Sequence, residues 1–206
     1  VSVPDLLYRS LVWLAVRLGL LFAVGLPLVL VVWAAVRREG ALARLLGLYW
    51  KVASLLLIAL LLLTNRAALG ATLLVLAPLL ILGVLWFWVD INEELADSPL
   101  DRALPLTVRI WRWSLSFFCL GLSALAATAL PCQGAGMGAP LCRAWLEAPS
   151  QLHGVLAQVF AFVFGGTWSP PLAGFLGYAG LAAYGVGLLQ WLLVRLPRQG
   201  RVAGEF

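Results

Sequence analysis

The sequence predicts an all-α, polytopic membrane fold, with about five transmembrane helices plus short interfacial helices. Three observations predict it. Of the 206 residues, 63% are hydrophobic and 11% charged, where soluble domains carry about 25% charged residues. The apolar residues are gathered into five long stretches, each sufficient for the ~20 residues that a helix needs to cross a hydrocarbon core. The period-two alternation of a membrane β-barrel is missing, so backbone polar groups in lipid must be satisfied inside helices. A single membrane domain over 1–206 is expected.

The elements follow in order. Residues 5–16 (DLLYRSLVWLAV) read as an interfacial helix, with Asp5 and Arg9 at i,i+4 and Trp13 on the same face. The first span covers 18–36. Arg9 and Arg17 ahead of it resemble a signal-peptide start, but the run is long, lacks a convincing A-x-A site and meets Arg37-Arg38 directly, so a retained span is expected. The second span, 45–65, is interrupted only by Lys51, whose stem can snorkel beside Trp50. The third, 67–89, ends at Asp90. If its helix continues, Asp90, Glu93, Glu94 and Asp97 share one side at i, i+3, i+4 and i+7. Like charges at that spacing repel unless cations face them, and Arg37, Arg38, Arg44, Lys51, Arg109 and Arg112 are candidates. The cluster reads as a solvated, ion-paired helix end, as a docking patch for a partner's basic surface or, disfavoured because no His accompanies it, as a carboxylate metal or catalytic site. Ser98-Pro99, with Asp101 nearby, offers the next helix start.

The fourth span, 113–130, is stopped by Pro131. A Gly/Pro-rich loop, PCQGAGMGAPLC, follows, bracketed by Cys132 and Cys142; Cys119 sits alone inside the span as a packing residue. Cys132 and Cys142 are disulfide candidates, against free thiols or a metal or redox site shared with His153. Residues 151–164 are apolar but too short to span and read as an interfacial or re-entrant helix. His153, the one histidine, falls at its start and reads as a hydrogen-bonded residue near the interface rather than a catalyst. The fifth span, 172–194, carries Ala173, Gly177, Gly180, Tyr184 and Gly187 at i, i+4, i+7, i+11 and i+14. Such a stripe lets helices approach closely, either within the chain or with another chain.

Orientation follows from the charges. Of fourteen Lys and Arg residues, ten lie in the first and third connections, the C-terminal tail and their flanks, while Arg9, Arg17, Arg66 and Arg143 lie opposite. The positive-inside rule then places the N-terminus outside and the C-terminus in the cytoplasm. Trp33, Trp50, Trp86, Trp88, Trp111, Trp113 and Trp191 gather near the same boundary, where indoles favour the headgroup level. The net charge of +5 needs no nucleic-acid partner, because no basic run exceeds Arg37-Arg38.

YWKVASLL at 49–56, WFWVDINEE at 86–94, CRAWLEAP at 142–149, GFLG at 174–177 and RQGR at 198–201 resemble a cyanobacterial integral-membrane family known only as a domain of unknown function. That resemblance covers most of the chain. It implies a thylakoid or plasma membrane of a photosynthetic bacterium and carries no catalytic or ligand residues. With no H-E-x-x-H, G-x-S-x-G or paired intramembrane carboxylates, neither catalytic chemistry nor a cofactor or metal is expected. The expected role is a non-catalytic accessory, assembly or scaffold subunit, in contact with the lipid bilayer and other subunits of a membrane complex. The alternative is a small-solute transporter or channel component, which the scarcity of polar residues in the spans disfavours.

Overall fold

The computed structural model describes residues 3–98, 102–132 and 140–202, and among them every regular element is helical. Five of the helices are long and apolar enough to cross a membrane: Leu6–Arg37, Gly40–Thr64, Ala68–Phe87, Ala103–Ala127 and Pro170–Arg198.

The first of these is built from α1 (Val3–Gly19), a π-helical turn (Leu20–Gly25) and α2 (Leu26–Arg37) without interruption. The separate helix expected over 5–16 is therefore the first part of one continuous rod. Arg17 does not end it, because a long cationic side chain can leave the apolar surface while its backbone stays helical. Asp5's side chain lies outside the described residues; Arg9 pairs with Glu147 at 2.9 Å.

The π-turn has a local cause. Pro27 offers no N–H, and its ring would press on the carbonyl four residues earlier, that of Ala23. The backbone widens ahead of it, so that the Leu26 N–H reaches Leu21 O. Phe22 O and Ala23 O thereby lose their ordinary helical donors. Trp111 Nε1 donates to Phe22 O at 2.9 Å, and the Tyr49 hydroxyl donates to Ala23 O at 2.6 Å. Both side chains are fully buried and meet edge-to-face, 5.2 Å between ring centres. One proline thus dictates a three-helix polar lock in an apolar core.

Arg38, in the left-handed region at φ 56°, caps α2 and turns the chain into α3 (Gly40–Thr64). Its N–H reaches the carbonyls of Ala34 and Ala35, closing the last turn. Helix α4 (Ala68–Phe87) returns along α3, and Gly70 allows the close approach, since a Cβ there would meet Leu63 at 2.9 Å. The chain then breaks at Trp88, in extended conformation, before α5 (Val89–Asp97).

Helix α6 (Ala103–Ala127) packs on α4. It begins at Ala103 rather than at Trp113. Arg109 and Arg112 find carbonyl partners on neighbouring elements, so their charges do not stop the helix. Pro99 and Asp101 lie outside the described residues, and Ser98 turns its hydroxyl back to Glu94 O.

Helix α7 (Pro140–Phe164) follows a short 3-10 turn at Leu130–Cys132. The segment expected as an independent helix over 151–164 is its second half, continuous through Pro149. Most of the Gly/Pro-rich loop, 133–139, lies outside the described residues.

Helix α8 (Pro170–Gln190) lies against α3 and runs through a second π-turn, Trp191–Arg195, into α9 (Leu196–Gln199). The device of Pro27 recurs here. Pro197 follows the turn by two residues, and the Leu196 N–H reaches back to Trp191 O.

The alternation of helix directions gives the bundle two ends. A cysteine end gathers Tyr8, Thr128, Cys132 and Cys142; an arginine end gathers α5 with Arg44, Arg109, Arg112 and Arg201.

Candidate functional site

At the arginine end the α4–α5 break exposes the last carbonyls of α4, which have no intrahelical donors. Three side chains supply them. Arg112 Nη2 donates to Leu85 O at 2.5 Å, Asn92 Nδ2 to Trp86 O at 3.0 Å, and Arg201 Nε to Phe87 O at 2.9 Å. The Val89 N–H, orphaned at the start of α5, donates in turn to Arg201 O at 3.1 Å. Cations at a helix C-terminus also complement its dipole. The break and the C-terminal segment are therefore stitched together by Arg201 in both directions.

Arg112 is the most confined of these groups. It is 6% exposed, also donates to Asn92 Oδ1, and lies 4.3 Å from the centre of the Trp86 ring. Trp86 Nε1 continues the network to Ser116 Oγ, which donates to Arg112 O. The sequence puts Lys51 inside the second span and leaves Arg112 just ahead of the fourth, 113–130. Because α6 begins at Ala103, Arg112 lies within it, and its signal is a lone Arg between Trp111 and Trp113 followed four residues later by Ser116.

The acidic cluster divides in two. Arg44 on α3 pairs with Glu94 at 2.6 Å and with Asp90 at 3.8 Å; Glu93 and Asp97 are exposed, as Glu94 is, but do not share that pairing. Ile91 and Leu95, buried between these positions, fasten α5 to the core, and Arg109 donates to Leu95 O at 2.9 Å.

The stripe on α8 also divides. Ala173 is fully buried, and a Cβ on Gly177 or Gly180 would come within 2.9 Å of Leu62 or 3.3 Å of Ile58 on α3. This part of α8 packs inside the chain. Gly187, farther along, has nothing within 4 Å of a built Cβ. Here α8 and α4, both packed on α3, border a groove of about 1040 Å³ that reaches the arginine end. Leu48 and Val52 form its floor, with Gly83 and Val84 on one wall and Gly187 and Leu188 on the other. Lys51, Arg195 and Arg198 line it together with Trp88 and Trp191.

The cysteine end is tied differently. Cys132 and Cys142 are joined by a disulfide, with Cα atoms 5.5 Å apart, which anchors the start of α7 beside the end of α6. Trp145 Nε1 donates to the Tyr8 hydroxyl at 2.8 Å. Thr128 gives its own proton to Leu125 O, so Tyr8 donates to Thr128 Oγ1. Glu147 accepts from both Arg9 and Trp13. Cys119 is a buried free thiol in α6. His153 is half-buried and its Nδ1 has no hydrogen-bond partner among the described residues, in contrast to the hydrogen-bonded residue expected, and among those residues no group of three His, Cys, Asp or Glu side chains is placed to hold a metal ion.

These features define an all-α, polytopic integral membrane protein with a polar lock in its core and a cationic groove on one flank. The chain belongs to the family described as "Protein of unknown function (DUF3177)", whose family model matches residues 9–204. No curated protein and no solved structure matches it.

Proposed function

We propose that the protein is a non-catalytic accessory, assembly or scaffold subunit of a membrane complex. The observation that carries this reading is the division of labour on α5. Asp90 and Glu94 hold the helix to Arg44, which leaves Glu93 and Asp97 outward on a helix that is already fixed. A prepositioned acidic pair steers and orients a basic partner without ordering a flexible segment at the moment of binding. Ten of fourteen cations on the same side support a cytoplasmic location for this end, with the N-terminus outside. The resemblance of the sequence to a cyanobacterial family supports a thylakoid or plasma membrane.

The test is affinity purification from mild-detergent membranes, comparing the natural chain with Glu93→Lys/Asp97→Lys. The expected result is a defined set of co-purifying membrane proteins that the double variant loses at unchanged protein level. A chain that migrates alone from native membranes overturns the reading.

A small-solute transporter or channel component is the second reading, favoured by the groove. The groove is blind, however: toward the cysteine end Leu62 and Ile58 press against Gly177 and Gly180. Proteoliposomes loaded with carboxyfluorescein should therefore retain it, and protein-dependent leakage would favour the channel instead.

A further inference from the structure

The groove between α4 and α8 has features that helix packing alone does not explain. Its cations are gathered at one end, where Lys51, Arg195 and Arg198 line it toward the arginine end. Deeper in, Val52, Leu80 and Val84 line it together with Ser54 and Tyr184, and two glycines hold space open. A Cβ built on Gly83 or on Gly187 meets nothing within 4 Å, so neither glycine is needed for a close helix contact. The volume, about 1040 Å³, lies at the upper end of ligand sites, which run to roughly 1,000 Å³. Trp88 lines it too; it is 5% exposed, and its Nε1–H has no acceptor among the described residues. Trp88 meets Trp191 of α8 at 6.1 Å between ring centres, so both walls bring an indole to the same region.

We propose that this groove binds one anionic membrane lipid. Its headgroup oxygens sit among Lys51, Arg195 and Arg198, and one acyl chain lies between Gly83 and Gly187. The charge pattern selects the headgroup. A zwitterionic lipid brings its own cation into a site that already holds three, whereas each Lys or Arg near an anionic headgroup favours association. The glycine pair selects the chain, because it provides a slot where side chains would otherwise stand. The site is separate from Glu93 and Asp97, so it stands or falls independently of partner docking.

The experiment uses the full chain in a neutral detergent, titrated with phosphatidylglycerol or phosphatidylcholine and read by native mass spectrometry. The expected result is one retained phosphatidylglycerol, at a preference over phosphatidylcholine of about tenfold or more. Lys51→Gln/Arg195→Gln/Arg198→Gln should reduce that preference to about twofold or less, since each cation contributes several-fold. Arg195→Lys, which keeps the charge, should retain it. Gly187→Leu places a side chain in open space and should lower retention of both lipids while the Cys132–Cys142 bridge stays formed. Should the triple variant fail to fold, Gly187→Leu alone decides the question. Equal retention of the two lipids by the natural chain overturns the proposal, as does unchanged retention in Gly187→Leu. Displacement of the lipid by millimolar inorganic phosphate also overturns it, because the site would then hold a phosphate rather than a lipid.

Discussion

The two ends of the bundle solve one problem by opposite means. At the cysteine end a covalent bridge, a short chain of neutral hydrogen bonds and the Arg9–Glu147 pair fasten α7 to α1 and α6. At the arginine end, among the described residues, guanidinium groups rather than a bridge hold a broken helix by occupying its last carbonyls. A disulfide acts mainly on the unfolded chain, whereas a buried cation–carbonyl network acts on the folded one and is costly to leave half-made. The arginine end should therefore be the more sensitive to single substitutions, and the cysteine end the more sensitive to reductant.

The largest effect is expected from Arg112→Ala, which leaves Leu85 O and Asn92 Oδ1 buried without their donor. A loss of about 3 kcal/mol or more should appear in reversible denaturation from detergent micelles. A loss under about 1 kcal/mol would mean that water replaces the guanidinium there. Cys132→Ser/Cys142→Ser comes next. Closing a loop with a sequence separation of 10 is worth about 2.5–3 kcal/mol in the chain-entropy model, and dithiothreitol should reproduce that loss in the natural chain without affecting the double variant.

Tyr49→Phe should cost about 1–2 kcal/mol by stranding Ala23 O. That cost should shrink in a Pro27→Ala background, because an alanine in place of the proline restores the missing N–H. A double-mutant cycle reads the difference, and purely additive costs would show that the proline is not the reason for the lock. The smallest effect is expected from Glu94→Gln. Its partner Arg44 is only partly covered, and such pairs contribute about 1 kcal/mol or less, so a small loss that vanishes in high salt is the outcome to look for.

Much of the fold was legible in composition and spacing, because a bilayer allows few alternatives to helices of set length. The helix boundaries were less legible. Arg17 and Arg112 both look like stops in a hydropathy reading, yet one lies within a continuous rod and the other within α6. Whether a charge ends a helix depends on what meets its side chain, and Arg112 is met by Leu85, Trp86 and Asn92 from elements distant in sequence. The π-turns were legible in principle, since each precedes a proline by two residues; which donors would serve the released carbonyls was not. Likewise the small residues of α8 form one periodic stripe, but the position of α3 makes Gly177 a contact with Leu62 and leaves Gly187 as a wall of the groove.

By itself, then, the sequence determined that the chain is helical and built for a bilayer, because hydrophobicity and backbone hydrogen bonding act on each segment alone. It also determined where prolines disturb those helices. Only the tertiary structure decided which side chains repair the disturbances, which half of the acidic cluster remains outward, and where two helices border a cationic groove. Those outcomes depend on distances between residues far apart in the chain, and no local periodicity encodes them.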